Sequence, residues 1–172
     1  WETYTARNGG EMNNNPSPGN KRGGLTTILE KSLGAVAKGG VSPLAGVFEY
    51  GEKINTHGFV YMDSPGYDPC SVTGQIAAGA NIIVFTTGRG SVSGYKPTPC
   101  IKLSTNTSMY RRMLGDIDLD CGDIIEEGVS LEKKGKQIFE QILKVASGQK
   151  TKSEELGFGG SEFVPWQIGA VM

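Results

Sequence analysis

Asn81-Ile82-Ile83-Val84-Phe85-Thr86-Thr87-Gly88-Arg89-Gly90 is the stretch from which the fold can be read. Its first half is a continuous apolar run of β-branched and aromatic residues, which predicts a strand covered on both faces and central in its sheet. Its second half turns to hydroxyls and glycines, so the chain leaves that strand in an irregular loop. Just upstream, Pro69 suits the first turn of a helix with Asp68 as its N-cap, and Val72, Ile76 and Ala80 line one face of a helix that runs to about Gly79. A helix leading into a buried strand is the building unit of a parallel α/β sheet.

Working outward, Leu25, Ile28, Leu29, Leu33 and Val36 recur at helical spacing until Gly39-Gly40. Val47–Tyr50 and Phe59–Met62 read as short strands, the second bounded by Asp63-Ser64-Pro65-Gly66. Beyond Arg89, residues 88–99 hold too much Gly and Pro to be regular, and Ile101-Lys102-Leu103 is another short strand. Thr105 or Asn106 can cap a helix through Met109 and Met113. Asp116, Asp118 and Asp120 alternate like a solvated edge, and Ser130 precedes a last long helix through Ala146. The order predicts an α/β fold with a largely parallel sheet. Length allows one domain, residues 1–172 or part of one, with an extended N-terminal segment over 1–24 and a C-terminal tail over 149–172.

Seventeen basic against 18 acidic residues leave a net charge of -1, which excludes the electropositive surface that nucleic acid requires. No apolar run reaches the roughly 18 to 20 residues of a membrane span, so the chain reads as soluble and cytoplasmic. Cys70, Cys100 and Cys121 are odd in number and far apart, which points to reduced thiols rather than a disulfide framework or zinc site. The chain opens on Trp1 without Met and passes into the polar run Asn8–Asn20, as expected of part of a longer polypeptide.

In a parallel sheet, ligands bind outside the carboxyl ends of the strands. That rule selects Asp63–Asp68, Thr86–Gly90 and Ser104–Thr107. Two of these open onto helix N-termini, which favour anions, and Arg89 between two glycines can grip a carboxylate bidentately. A small, hydroxylated, anionic ligand fits such a lining. Gly88, Gly90 and Gly94 have the wrong spacing for a dinucleotide fingerprint, and Pro97 and Pro99 forbid the helix it would open, so a nucleotide-binding module is the weaker reading. His57 reads as a solvated loop residue. Cys70 reads as a small buried residue in spite of its place near a helix N-terminus.

Three strings carry a family resemblance. They are Asn15-Pro16-Ser17-Pro18-Gly19-Asn20-Lys21, running through Gly23-Gly24-Leu25-Thr26 into Glu30-Lys31-Ser32-Leu33-Gly34; Ser64-Pro65-Gly66-Tyr67-Asp68; and Phe85-Thr86-Thr87-Gly88-Arg89-Gly90. With the tail Phe163-Val164-Pro165-Trp166-Gln167-Ile168, they closely resemble the altronate/galactarate dehydratase family over nearly the whole chain. The resemblance implies a Rossmann-like three-layer domain, the C-terminal part of a larger enzyme of sugar-acid catabolism. It implies a hydro-lyase that takes the proton beside a carboxylate and expels a β-hydroxyl, giving a 2-keto-3-deoxy acid, with divalent Fe2+ or Mn2+. A branch of the family desulfonates sulfolactate, which keeps that alternative open, as is a non-catalytic sugar-acid binding role. On this resemblance Glu30 and Asp68 are candidate bases or metal ligands and Lys31 a candidate cation or acid. Asn15, Ser17, Asn20, Lys21, Ser64, Thr86, Thr87 and Arg89 are candidate substrate contacts. The metal ligands themselves are not evident. Partners to expect are the sugar acid and the remainder of the enzyme upstream of residue 1, with no nucleic acid or membrane and a homodimer left open.

Overall fold

The computed structural model describes residues 2–7, 9–12 and 15–166. In chain order these form α1 (Glu2–Ala6), α2 (Pro18–Arg22), α3 (Ile28–Ala37), β1 (Leu44–Phe48), β2 (Phe59–Met62), α4 (Asp68–Ala77), β3 (Ile83–Thr87), β4 (Cys100–Ser104), α5 (Thr107–Arg112), β5 (Leu119–Asp120), α6 (Asp123–Glu126), α7 (Leu131–Ala146) and α8 (Lys152–Glu155). Two compact units divide the chain: Trp1–Ala45 with His57–Phe59, and Gly46–Thr56 with Val60–Met172. Residues 1–24, expected to run extended, include the short helices α1 and α2.

The second unit is built on β4, whose five residues are all buried. β3 and β5 pair with it on either side, both parallel, in the order β3-β4-β5. Successive side chains of a strand point to opposite faces. Cys100 packs on one face with Val72, Ile83 and Tyr95, against which Ile76, Ala80 and Phe85 are laid. Ile101 and Leu103 pack on the other with Val145, joined by Ile138, Ile142 and Leu119. Helix α4 therefore covers one face and α7 the other, the three-layer α/β arrangement. Full burial of Ile101 and Leu103 is worth roughly 1.5–3 kcal/mol apiece.

Two expectations change here, the rank of β3 and the cap of α4. β3 lies at the edge of its three-stranded sheet rather than the centre, and Val84 is 40% exposed. The crossover from β3 to β4, residues 88–99, carries no helix, as its Gly and Pro content predicts, and Tyr95 from this loop fills the core on the α4 side. Asp68 is the first residue of α4 and not its cap, since Tyr67 holds the N-cap position with no side-chain bond.

Other helix starts follow the sequence closely. Asn106 Oδ1 accepts from Met109 N at 3.0 Å and Ser130 Oγ from Lys133 N at 3.2 Å, while α8, in the segment read as a tail, opens on a capping box of Thr151 and Glu154. Lys134, nearly buried, donates to Asp120 O at 2.7 Å and to Asp123 Oδ2 at 2.6 Å, fastening the first turn of α7 to the end of β5 and the start of α6. The tail docks on α4. Val164 N donates to Thr73 Oγ1 at 2.8 Å, Cys70 Sγ lies 3.7 Å from Pro165 O, and the Trp166 ring meets Tyr50 edge-on at 5.4 Å. Gln167 and Ile168, at the end of the aromatic tail string, lie outside the described residues.

Two glycines predict opposite outcomes. Gly122 has an ordinary negative φ of -67°, but a Cβ there would collide with Thr107 N and Oγ1, both on backbone-anchored α5. Gly122→Ala should lower stability by about 3 kcal/mol, the upper end of the overpacking range. Gly135, inside α7, has open space where a Cβ would go. Gly135→Ala should raise stability by roughly 0.5–1 kcal/mol. Urea midpoints of the two variants against the parent measure both.

Candidate functional site

The carboxyl edge of the parallel sheet is where the sequence rule and the structure meet. Thr87, Ser104 and Asp120 end their strands side by side in register. Thr87 Oγ1 accepts from Gly90 N at 3.1 Å and Thr87 O accepts from Thr105 N at 3.0 Å, so the turn after β3 is held against the turn after β4. Gly90 takes a φ of +106°, with Met113 Sδ occupying the space a side chain would need. Between the two glycines Arg89 is exposed, as is Thr86, while Thr87 is half-buried. Ser64 Oγ pairs with Ser71 Oγ at 3.0 Å beside the first turn of α4, and Asp68 stands exposed at the start of that ten-residue helix.

The other six candidates belong to the first unit. Lys31 Nζ donates to Asn15 Oδ1 at 2.7 Å, a pairing across 16 residues that brings the Asn15 string to α3. Ser17 Oγ donates to Asn20 Oδ1 at 3.1 Å, and Asn20 and Lys21 lie in the short α2. Glu30 is a helix-capping group: its Oε2 accepts from Thr26 Oγ1 at 2.6 Å and Thr26 N at 2.7 Å, while Thr27 Oγ1 accepts from Glu30 N. Those two bonds from Thr26, the hydroxyl first, hold the Glu30 carboxyl below its usual pKa.

Beneath the carboxyl edge lies a polar cluster that the pattern reading passed over. Lys102 has no exposed surface; its Nζ donates to Ser93 O at 3.0 Å. Burial depresses its pKa, opposed chiefly by the Asp118 carboxylate and also by Cys100, Asp116 and Glu162. Asp118, expected to be a solvated edge residue, is a structural acceptor: Oδ2 takes Lys102 N at 2.7 Å and Oδ1 takes Lys152 N at 2.9 Å. The Tyr95 hydroxyl is buried without a hydrogen-bond partner, and burial raises its pKa well above the tyrosine norm; Ser93 lies beside it without closing a bond. Burial likewise pushes the Cys100 thiol up to about 12. The one available signal was a lysine between Ile101 and Leu103 in a strand-like run. Cys70 is buried and His57 is exposed, as read.

Among the described residues no group of three or more His, Cys, Asp or Glu is placed to hold a metal ion, so the divalent ion implied by the resemblance has no ligand set here. Among those residues, too, no helix is long and apolar enough to cross a membrane.

The second unit is thus a three-layer α/β domain with polar loops and an exposed arginine at the carboxyl ends of its parallel strands. The sequence model for "D-galactarate/Altronate dehydratase, C-terminal" matches residues 1–171, and the chain belongs to that family. It is 37% identical over 158 residues to an altronate dehydratase of Bacillus subtilis (strain 168), covering 92% of this chain and 32% of that protein. It is also 37% identical over 158 residues to the galactarate dehydratase (L-threo-forming) of Escherichia coli (strain K12), covering 91% and 30%. A (2R)-sulfolactate sulfo-lyase subunit beta of Chromohalobacter salexigens is 37% identical over 143 residues, covering 83% and 37%. The chain thus spans about a third of the length of these relatives.

The buried thiol gives a pH test. Above pH 9 an unfolded chain releases the Cys100 proton, which the folded chain keeps until about pH 12. The folded state then holds more protons, so stability falls as pH rises through that window. The depressed Lys102 works in the opposite sense, because there the unfolded state keeps its proton longer. Cys100→Ala should therefore flatten the alkaline fall in urea midpoint measured from pH 8.5 to 11. Cys100 should also resist iodoacetamide in the folded protein at pH 8.5 and react once urea is added.

Proposed function

We propose that this chain is the substrate-side part of a hydro-lyase that removes water from a sugar acid such as altronate or galactarate. The observation that carries the reading is the family match along residues 1–171, with equal identity to an altronate and a galactarate dehydratase. The reaction removes the proton beside the carboxylate, passes through an enediolate, and loses the β-hydroxyl as water, leaving an enol that tautomerises to a 2-keto-3-deoxy acid. In the second unit, the Arg89 guanidinium grips the carboxylate bidentately, while Thr86, Thr87 and Ser64 hydrogen-bond the hydroxyls. Asp68 is the better base, being exposed at its helix start, whereas Glu30 is engaged by Thr26. Within the first unit, the same reading gives Lys31, steadied by Asn15, the part of cation or acid, with Ser17, Asn20 and Lys21 as polar contacts. The Fe2+ or Mn2+ of the resemblance would take its ligands from sequence beyond the described residues. A cytoplasmic site of action fits a catabolic enzyme of this kind.

A second reading has its own support in the sulfo-lyase subunit, whose identity to this chain is as high. The two separate in one assay. A polypeptide of the relatives' length carrying this sequence, kept anaerobic with Fe2+, should form 2-keto-3-deoxy acid from altronate or galactarate and no sulfite from sulfolactate. Sulfite release without dehydration would install the second reading, and no turnover of either kind would favour a binding role. The 172 residues alone should turn over neither, and activity in them would sink the claim of an incomplete site.

Arg89→Lys keeps the charge and loses the fork, which is not conservative where a carboxylate is held in two-point fashion. A charge-assisted bond of roughly 1.5–3 kcal/mol predicts a fall of about 10- to 100-fold in kcat/KM, with an unchanged melting temperature. Near-parental kinetics in Arg89→Lys and Arg89→Ala would reduce Gly88-Arg89-Gly90 to a turn.

A further inference from the structure

Lys102 occupies the middle of β4 with no exposed surface. An apolar side chain of similar length would pack there without taking an ammonium out of water, and replacing buried charges in this way is often neutral or stabilising. Stability alone therefore does not explain the lysine. Its Nζ has three donors, and the bond it makes is to the carbonyl of Ser93, four residues beyond Arg89 in the irregular crossover 88–99. Among the described residues, this is the hydrogen bond that ties the main chain of 91–94 to the sheet. Ser93 N donates locally to Ser91 Oγ, and the flanking anchors, Gly90 N to Thr87 Oγ1, Lys96 N to Gly159 O, Thr98 Oγ1 to Ala80 O and the buried Tyr95 ring, lie outside that span. The lysine is itself held in place, since its backbone N–H donates to Asp118 Oδ2 and its carbonyl accepts from Asp118 N.

We infer that Lys102 is a positioning residue, whose buried ammonium holds the Ser93 carbonyl and so sets the path of the crossover that carries Arg89 along the carboxyl edge of the sheet. The inference rests on the reading of Arg89 as the carboxylate grip. A methionine at 102 would fill the same space but could not donate to Ser93.

Three measurements test it. In the parent chain, deuterium uptake over residues 90–95 should be slow for a loop without a helix; uptake as fast as in an open loop overturns the inference before any variant is made. Lys102→Met should leave the melting temperature equal or higher yet speed that uptake by about tenfold or more. In the longer polypeptide, Lys102→Met should lower kcat/KM about tenfold through KM, and add less than about twofold when Arg89 is already alanine. Unchanged loop uptake in Lys102→Met, or the same loss in both Arg89 backgrounds, would make Lys102 a structural residue only. If Arg89→Ala by itself has no effect, the carboxylate reading fails, and the uptake comparison alone decides whether Lys102 holds the loop.

Discussion

β5 is two residues long and can satisfy only the last two positions of β4, so the ladder of the central strand would be left open at Lys102. Asp118 closes it. Its carboxylate accepts the Lys102 N–H and its backbone N–H donates to the Lys102 carbonyl, so one residue, through side chain and main chain together, substitutes for a missing stretch of strand. The second carboxylate oxygen accepts the N–H of Lys152 at the start of α8. Sheet and C-terminal segment are thereby joined through a single acid, and an acceptor-only carboxylate suits the task because both partners are N–H donors.

From that arrangement the two faces of the sheet take different characters. The face toward α7 is apolar, with Ile101 and Leu103 against Val145. The face toward α4 mixes Cys100, Tyr95 and the Lys102 ammonium, and it is the side on which the irregular crossover lies in place of a helix. A helix would have satisfied its own backbone. A loop cannot, so side chains from the sheet and from its own hydroxyls must supply the bonds. The polar character of this layer and the loop that bears Arg89 are thus two sides of one constraint.

Much of this was legible in the sequence. Phe59–Met62, the α7 boundaries and the caps Asn106 and Ser130 follow from local periodicity and capping chemistry, which act over a few residues. The ranking of the strands was not legible. Ile82-Ile83-Val84-Phe85 looks central because it is apolar, yet apolarity reports what a strand could bury and not how many neighbours it pairs with. β4 is concealed by Lys102, whose burial is made tolerable by Ser93 and Asp118, nine and sixteen residues away along the chain. Of the candidate site, the loops after β3 and β4 follow from the carboxyl-end rule. The Asn15–Lys31 bond and the Thr26 hold on Glu30 depend on how a non-periodic segment folds back, which no spacing rule records.

The docking of the tail on α4 bears on when this domain can become native during synthesis. Thr73 and Val164 are 91 residues apart, and Cys70 and Pro165 are 95 apart. Contacts of such high sequence separation carry a large loop-closure entropy and form late. Until residues 150–166 are made, Thr73 and Cys70 lack their contacts with Val164 and Pro165, and the Tyr50 ring, bonded to Cys70 O, lacks Trp166. Closure of the tail on α4 therefore follows the local contacts of the sheet, which span far fewer residues.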